Sequence, residues 1–367
     1  MSANHGGKVT LKPISEMAKY LKNLIPANIP KTYTLKPLFK KVTSEENIRN
    51  GVIAFRDFLY ILCDKLITDG HLFAKSSKKP TSITDYPFIH NLTNLLVDLG
   101  YHGKLMEDGN LLLVTEIPLC SAPKPKIPVS GLIDCLRFLT LFGFIFTGID
   151  LEAKTVNVSK ESTLKVTYPK KPILLTGLKA LSIADMELRE TRRYWNDNNL
   201  LRCDYRLLKA ENTDALDILK DFLHPLPKDI QKFAIKLHQR YTDMGMTCAM
   251  TIRGDVNLAY SLINKTKKIL SSQDIYSQSV FQFSYSMRFG YCLVVRPKKT
   301  EKYADVIKNF PLSLQKRIAK GYGCFKKLGY ERCLHDCQGI RIPLNNSILN
   351  ISDYIETWLD NEVSFRT

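Results

Sequence analysis

The stretch Leu96–Val114, L-V-D-L-G-Y-H-G-K-L-M-E-D-G-N-L-L-L-V, changes its hydrophobic period halfway along. Before Gly100, apolar residues recur every three or four positions from Phe88 onward, which predicts a helix that ends at this glycine. After Gly100, the dipeptide Asp108-Gly109 lies between two apolar runs, a setting in which Asp-Gly is typical of a tight hairpin turn. The stretch therefore predicts a helix followed by a β-hairpin.

The same order of elements recurs at an offset of 43 positions, where Leu139–Phe144, L-T-L-F-G-F, matches Leu96–Tyr101, L-V-D-L-G-Y. Ser130 predicts the start of this second helix, Gly143 predicts its end, and an apolar strand-turn-strand pattern follows. Helix then hairpin is the order of a recognition helix and its wing. We interpret the two segments as tandem winged-helix-like units, although two unrelated helix-hairpin packings would explain the pattern equally well.

These patterns divide the chain into four parts and predict an α+β fold. A long helix is predicted over Thr43–Thr68, with Ser44 marking its start. In the C-terminal part, alternation with a period of two predicts antiparallel strands in a sheet covered on one side, and Ile351–Val363 a final helix. The predicted parts are an N-terminal arm at 1–42, a first winged-helix-like unit at 43–125, a second unit with its following helix at 126–210, and an antiparallel-sheet α+β domain at 211–367.

The charge balance is the most unusual bulk property. The chain has 53 Lys and Arg against 36 Asp and Glu, a net charge of +17. A surplus of this size attracts polyanions, nucleic acid first among them. The nine cysteines, an odd number, and the absence of an apolar leader favour reduced thiols and a cytoplasmic protein. The longest apolar run, Phe138–Ile149, is shorter than the ~18 residues of a membrane span, so no membrane partner is expected.

Basic residues in predicted loops and near helix ends are the candidate phosphate contacts, since lysine and arginine bind backbone phosphates. They are Lys75, Lys78, Lys79, Lys104, Arg137, Lys170, Lys171, Arg192 and Arg193. The two arginines precede Tyr194 and Trp195, an arrangement that can grip phosphates and stack on bases, or form ion pairs with nearby acidic residues. The helix before each hairpin is expected to enter the major groove. Because Arg137 is the only cation on the two predicted recognition helices, backbone or shape readout is expected.

A cysteine-rich stretch, Gly321–Leu344, carries the candidate metal ligands. They are Cys324, Cys333, His335 and Cys337. Zinc takes four thiolate or imidazole ligands, and these four side chains are close enough in sequence to share one ion. The spacing lacks a C-x2-C pair, so ordinary reduced cysteines in a loop remain an open alternative. A further alternative is a reactive Cys324, with Lys326 and Lys327 lowering its pKa and His335 as its base.

Three segments carry a resemblance. They are L-L-T-G-L-K-A-L-S-I-A at 174–184, L-L-R-C-D-Y-R-L-L-K at 200–209 and G-I-R-I-P-L at 339–344. They resemble segments of a hypothetical-protein family of anaerobic Gram-positive bacteria, and that resemblance, which covers most of the chain, implies no function. The order of C-terminal elements is similar to that of small α+β domains of the YjbR and frataxin-like type, from which the cysteine-rich stretch departs as an insertion.

Three functions follow as expectations. The first is nucleic-acid binding by backbone or shape readout, with a structural zinc in the cysteine-rich stretch. The second is an accessory module whose repeated units bind a protein partner. The third is an enzyme that uses Cys324, which has little support because the chain lacks a Walker loop, H-E-x-x-H, G-x-S-x-G and C-x-x-C.

Overall fold

The computed structural model divides the chain into two compact units, unit 1 at Met1–Thr213 and unit 2 at Asp214–Thr367. The described residues are 14–73, 88–106, 109, 111–114, 129–152, 163–191, 200–253, 255–262, 278–298, 300–320 and 339–366. Each unit combines helices with an antiparallel sheet, so the predicted α+β class is confirmed. The winged-helix-like assignment stays a prediction, and its boundary between 125 and 126 lies outside the described residues.

Unit 1 begins with three helices, α1 Ile14–Lys22, α2 Pro37–Lys40 and α3 Glu45–Phe73. The hydroxyl of Ser44 accepts a hydrogen bond from the amide of Asn47 at 3.2 Å, which confirms the predicted start of α3. The helix continues past its predicted end at Thr68 as far as Phe73, and its apolar stripe against the core lies before Thr68. The buried residues of this stripe include Phe55, Phe58, Leu59, Leu62 and Leu66.

Two helix-hairpin segments follow in the predicted order. Their elements are α4 Phe88–His102 with strands β1 Lys104–Leu105 and β2 Leu111–Val114, and then α5 Val129–Thr140 with strands β3 Ile145–Thr147 and β4 Leu164–Thr167. The four strands form one antiparallel sheet in the order β1-β2-β4-β3. The two hairpins are therefore joined through β2 and β4 and share a single sheet.

Gly100 and Gly143 are both predicted to end helices, and the structure confirms only Gly143. Gly143 follows α5 with φ +103°, in the left-handed region that favours glycine. Gly100 lies inside α4, where a Cβ would come within 2.8 Å of the carbonyl oxygen of Leu178. The lack of a side chain at Gly100 thus allows a close approach between α4 and the helix that carries Leu178.

That helix, α6 Leu174–Thr191, lies at the centre of unit 1 and packs against α3 and α4. At its crossing with α3, Gly51 faces Gly177 so closely that a Cβ on Gly51 would lie 2.5 Å from the Gly177 nitrogen. Two 3₁₀ turns, Leu200–Arg202 and Tyr205–Leu207, follow α6. The first of them also packs against α1 and α4, so this late segment of unit 1 closes its core.

Aromatic side chains fill the space where α3, α5 and the sheet meet. The ring centroid of Phe58 lies 5.7 Å from that of Phe142 and 5.3 Å from that of Phe144, both in edge-on geometry. Tyr168, just after β4, adds a third edge-on contact to Phe58 at 6.1 Å. Edge-to-face contacts of this kind stabilise a core beyond simple burial, and here they hold the end of the sheet against the helices.

Unit 2 is a five-stranded antiparallel meander with helices before and after it, in the strand order β5-β6-β7-β8-β9. Its elements are α7 Ala215–Leu223, α8 Lys228–Asp243, β5 Met246–Arg253, β6 Asp255–Leu262, β7 Phe281–Ser286, β8 Gly290–Val295, α9 Ala304–Ile307, α10 Leu312–Lys320, β9 Ile340–Pro343, α11 Asn346–Leu349 and α12 Ser352–Ser364. The predicted strands and the predicted final helix are confirmed.

The centre of the unit 2 sheet is buried on both faces, so the prediction that the sheet is covered on one side is wrong there. Every residue of β7 is buried, both the aromatic side and the side that carries Gln282 and Ser284. On that polar side, Asn257 lies opposite Ser284 and is also buried. Small polar side chains can be buried when they are hydrogen-bonded, as Gln282 is to Ser279 at 2.7 Å. Because these side chains are polar, the sequence pattern indicated that this face of the sheet is exposed to solvent.

Within the described ranges, no helix is both long and apolar enough to cross a membrane. The longest helix, α3, carries charged side chains along its length, including Arg49, Arg56 and Asp57.

Candidate nucleic-acid interface

Two lysines lie in one row across the exposed face of the four-stranded sheet of unit 1. Lys104 on β1 is opposite Leu113 on β2, and Leu113 is opposite Lys165 on β4. Lys165 is in turn opposite Thr147 on β3. Directly opposite residues of antiparallel strands point to the same side, so these four side chains form a single row. We refer to Lys104, Leu113, Lys165 and Thr147 as the lysine row.

The pleat of the sheet fixes which face the lysine row occupies. Leu112 and Val166, the neighbours of Leu113 and Lys165 along their strands, are fully buried against the helices. Because alternate residues of a strand point to opposite faces, the row must face outward. Lys104, Lys165 and Thr147 are exposed, and Leu113 is half-buried. Sequence analysis identified Lys104 but missed Lys165, although the alternation L-K-V-T at 164–167 is the signal that places it outward.

The lysines of the lysine row have no acidic partner among the described residues, unlike Arg137 and Lys171. In the described part of the chain neither Lys104 nor Lys165 forms an ion pair. By contrast, Arg137 lies 3.8 Å from a carboxylate oxygen of Glu152, and Lys171 lies 3.4 Å from one of Asp57. Ion pairs this exposed are weak, but they offset part of the positive potential.

Lys170 is a further exposed cation near the same sheet. Its side chain lies along Gly143, where a Cβ would come within 3.0 Å of its Cε atom. Gly143 follows the C-terminal end of α5, and Arg137 lies in the last turn of that helix. Cations are favoured near helix C-termini because the helix dipole is negative there. Lys170 and Arg137 therefore have a structural role that does not require a ligand.

The predicted groove entry by the helix before each hairpin stays a prediction, and the burial of α4 gives it little support. Ten of its 15 residues are buried, and only His102 at its end is exposed. In α5, Arg137 is the one exposed side chain among those described. A helix that inserts into a major groove must present an outer face to the bases. The other four residues of α4 are only half-buried, and they are His90, Asn91, Asp98 and Tyr101. The spacing of apolar residues predicted one buried face for α4 and α5. It did not indicate that the other faces of these helices are largely buried as well.

Two arginines that follow α6, Arg202 and Arg206, have structural partners or burial of their own. The Nε atom of Arg206 lies 2.6 Å from the Asp204 carboxylate, so this arginine forms an ion pair. Arg202 is 4% exposed, and none of its three guanidinium nitrogens has a hydrogen-bond partner among the residues that the structure describes. Burial lowers the pKa of Arg202, with smaller opposing effects from Tyr20 and nearby carboxylates. This buried side chain is inaccessible to a phosphate backbone.

Several candidate residues lie outside the described residues. They are the basic residues Lys75, Lys78, Lys79, Arg192 and Arg193, and the metal candidates Cys324, Cys333, His335 and Cys337. Among the residues that the structure does describe, no group of three or more His, Cys, Asp or Glu side chains could hold a metal ion. The zinc site therefore remains a prediction from the sequence.

Unit 2 contains a buried hydrogen-bond chain that sequence analysis missed. His238 on α8 is 6% exposed, and its Nδ1 atom lies 2.8 Å from the Tyr260 hydroxyl. That hydroxyl also hydrogen-bonds the thiol of Cys248, opposite it on β5. Burial lowers the pKa of His238 and raises the pKa of Cys248 to about 12. All three groups are therefore neutral near pH 7, which suits a structural hydrogen-bond chain and leaves little thiolate for catalysis.

The sequence did contain a signal for this histidine. Ala234, Leu237, His238 and Tyr241 recur at the spacing of one helix face, and all four are buried in α8.

Comparison with known family models, curated proteins and solved structures found no match to the chain.

Proposed function

We propose that unit 1 binds the phosphate backbone of nucleic acid through the lysine row. The observation that carries this proposal is the alignment of Lys104 and Lys165 on one exposed sheet face, with no acidic partner among the described residues. Neighbouring strands are ~4.8 Å apart, so the backbones at the two lysines, separated by β2, lie about 10 Å apart. At ~3.4 Å of helix axis per phosphate, this separation spans about three phosphates of one strand.

Backbone readout suits the composition of the row. Base edges are commonly recognised by arginine, asparagine or glutamine through paired hydrogen bonds, and the row contains none of these. Lysine is a flexible point charge that meets phosphate without fixing its orientation. The net charge of +17 supports the proposal, because it raises the local concentration of a polyanion and speeds its association. Sequence-independent binding with a steep salt dependence is the expected behaviour.

A salt titration tests the proposal. The wild type and the double variant K104Q/K165Q are compared for binding to a labelled oligonucleotide between about 50 and 200 mM salt. We expect the double variant to bind at least tenfold more weakly at the low end. We also expect its plot of log affinity against log salt to be shallower by about 0.7–0.9 for each phosphate that the variant no longer neutralises, depending on strandedness.

The matched control is K228Q/K232Q, which removes two exposed lysines of α8 and the same net charge. It should keep most of the wild-type affinity and slope. If both double variants weaken binding equally, overall charge alone is responsible and the lysine row is not the site. If the wild type fails to bind at low salt, the function itself is rejected.

A protein partner is the second candidate, favoured by one observation. Ile145 on β3 is 51% exposed on the same face as the lysine row, where it lies opposite Thr167. An exposed isoleucine beside lysines suits an acidic peptide with an apolar anchor. The variant I145S separates the candidates. It should leave nucleic-acid affinity within about twofold, because an apolar side chain contributes nothing to counterion release.

A further inference from the structure

Strand β5 forms one edge of the five-stranded sheet of unit 2, and β9 forms the other. β5 is 8 residues long and pairs with β6 along its whole length without a bulge. The residues of β6 at 256–261 are buried, whereas those of β5 at 247–250 are only half-buried. The outer side of β5 is therefore still partly accessible.

The hydrogen bonds of the sheet fix which backbone groups of β5 point outward. In an antiparallel sheet, the N–H and C=O groups of one residue point to one neighbouring strand, and those of the next residue point to the other. The Arg296 amide donates to the Val280 carbonyl oxygen at 2.8 Å, and the Leu344 amide donates to the Tyr291 carbonyl oxygen at 2.9 Å. These two bonds set the alternation in β7, β8 and β9, and the strand register extends it to β6 and β5. The outward groups of β5 belong to Met246, Cys248, Met250 and Ile252.

The opposite edge of the sheet agrees with this alternation and is protected. On β9, the alternation gives outward backbone groups to Arg341 and Pro343. Pro343 has no N–H group, and the Arg341 carbonyl oxygen accepts a hydrogen bond from the Arg317 side chain at 2.8 Å. β9 is also only 4 residues long. A short edge strand that carries proline and charge resists pairing with another chain.

β5 lacks these protections. Its sequence at 246–252, M-T-C-A-M-T-I, contains no charged residue and no proline. The outward backbone groups of Met246, Cys248 and Met250 have no hydrogen-bond partner in the part of the chain that the structure describes. A straight, uncharged strand of this length at an edge is a template for pairing with another strand.

The sequence of β5 favours a second copy of the same strand as that partner. A two-fold axis pairs a strand antiparallel with its own copy, and hydrogen bonds form where outward residues of the two copies lie opposite each other. Of the registers that satisfy this condition, only the one centred on Ala249 pairs all four outward residues of each copy. The residues T-C-A-M-T at 247–251 are also symmetric in type about Ala249, with threonine at both ends.

We propose that unit 2 forms a two-fold symmetric dimer, in which β5 pairs with β5 of a second copy about Ala249 and joins the two sheets into one. The outward amides and carbonyl oxygens of both strands then form hydrogen bonds with each other. A strand from an unrelated protein would require the open edge but not the symmetry of its sequence. The proposal does not depend on the nucleic-acid function, because it involves no residue of the lysine row.

Ala249 is the position that tests the register, because the two-fold axis places it opposite its own copy. In a directly opposite pair that is not hydrogen-bonded, the Cα atoms lie about 4.5 Å apart, within the ~4.4–6.8 Å that a disulfide spans. Full-length A249C is oxidised with diamide, which takes up the two thiol hydrogens, and is run on a denaturing gel without reductant. We expect a covalent dimer of twice 41.9 kDa, which a reductant converts back to the single chain.

Two neighbouring thiols are the controls for the register. Cys248 lies diagonal to its own copy, about 7–8 Å away, which is too far for a disulfide. T247C adds a thiol two residues from the axis on the same side of the strand as A249C. Neither the wild type nor T247C should form the covalent dimer. Equal cross-linking of T247C and A249C would overturn the register, and so would a wild-type dimer that C248S abolishes.

Sedimentation of the full-length protein without oxidant tests the association itself. At about 0.15 M salt, charges are screened beyond ~8 Å, so the net charge of +17 does not prevent association, and we expect the wild type to be a dimer. Because the Met250 amide points outward, M250P loses no hydrogen bond within the sheet but cannot donate to the second copy. We expect M250P to weaken dimerisation by about tenfold or more, from the loss of two hydrogen bonds across the axis.

The matched control is R341P, which places a proline at an outward position of the opposite edge strand. It should dimerise as the wild type does, and the circular dichroism of both proline variants should match that of the wild type. A monomeric wild type would overturn the proposal. Dimerisation that M250P leaves unchanged, or that M250P and R341P weaken equally, would also overturn it.

Discussion

Gly51 and Gly177 bring the backbones of α3 and α6 into direct contact. A Cβ on Gly51 would lie 2.5 Å from the nitrogen of Gly177 and 2.7 Å from the carbonyl oxygen of Ile173. Real Cβ atoms do not approach backbone atoms this closely, and backbone atoms cannot turn aside as the end of a side chain can. The central helix of unit 1 therefore packs at a distance that only two glycines allow.

We predict that G177A lowers the free energy of unfolding of unit 1 by about 1–3 kcal/mol or more, the usual cost of overpacking a core. Urea denaturation followed by circular dichroism measures the change. G70A is the control in α3, because its Cβ would meet the Cγ2 atom of Ile14 at 2.7 Å and not a backbone atom. Since alanine is also the better helix former, G70A should cost clearly less than G177A. Equal losses in both variants would contradict the importance of the helix crossing.

The buried guanidinium of Arg202 gives a prediction of the opposite sign. Because none of its nitrogens has a hydrogen-bond partner, R202M removes the cost of desolvating a charge and loses no hydrogen bond. We expect R202M to raise the free energy of unfolding by on the order of 1 kcal/mol. R206M is the control, and it should be destabilising because it leaves Asp204, 5% exposed, without its ion-pair partner. Destabilisation by R202M as large as that by R206M would show that Arg202 has a partner after all.

The stability of unit 2 should fall on mild acidification because of His238. Burial lowers the pKa of His238 in the folded protein below its ordinary value of 6.5, despite the opposing charges of Asp214 and Asp243. Between the two pKa values the unfolded chain binds more protons than the folded chain, so stability is full above about pH 6.5 and decreases below it. In the variant H238N this contribution disappears.

The measurement is the midpoint of thermal unfolding from about pH 7.5 to pH 5.5, taken as the difference between the wild type and H238N. The difference should vary with pH in this window. The control is H224N, which tests whether the loss of any histidine has the same effect. His224 is partly buried, and its ring is hydrogen-bonded to the Asp221 carbonyl oxygen. A constant difference between the wild type and H238N would rule out His238 as the source.

The buried carboxylate of Glu362 should be far more important than a surface one. It is fully buried, and it accepts hydrogen bonds from the Lys298 amide and the Arg366 guanidinium, each at 2.6 Å, and from the Tyr303 hydroxyl. We predict that E362Q costs about 3–5 kcal/mol, because Arg366 is left as an uncompensated buried charge.

The control for Glu362 is D360N, two residues earlier on the same helix. Asp360 forms a bidentate ion pair with Arg240, at 3.2 and 2.6 Å, but both side chains are about a third exposed or more. Exposed pairs typically contribute about 0.2–1 kcal/mol, so D360N should have a small effect. Chemical denaturation of both variants tests the contrast, and comparable losses would contradict it.

The predicted zinc site is tested by measuring the zinc content of the purified protein, since Cys324, Cys333, His335 and Cys337 lie outside the described residues. We expect close to one equivalent of zinc in protein purified under reducing conditions, and its loss in C333S/C337S. A content below ~0.3 equivalents would exclude a structural site, which needs a full ligand set. C120S, which replaces a cysteine remote from the cluster in sequence, should retain the wild-type zinc content.

Much of the fold could be predicted because its signals are local. The repeated spacing of Phe55, Phe58 and Leu62 predicted α3, Asp108-Gly109 predicted the first hairpin, and period-two alternation predicted the strands of unit 2. The pairing of β2 with β4 could not be predicted in this way. About 50 residues separate the two strands, and nothing in either strand identifies the other as its partner.

The candidate site was less predictable for a related reason. A row such as Lys104, Leu113 and Lys165 exists only once the register across three strands is known. The approach of Arg341 to Phe289 likewise depends on a register, because β8 pairs with β9. Burial of polar groups was the other difficulty. His238, Gln282 and Arg202 are polar in sequence and buried in the fold.

The strand order β1-β2-β4-β3 has one more consequence. Exchanging the first hairpin with the second gives β3-β4-β2-β1, which is the same order read from the other edge of the sheet. The equivalent strands β2 and β4 are paired antiparallel at the centre. This strand order is symmetric in the way that two paired copies of one hairpin would be, within a single chain. Leu112 and Val166 lie opposite each other in the central strand pair, fully buried. A substitution at either one acts on the pairing that joins the two hairpins, so both hairpins are expected to lose stability together.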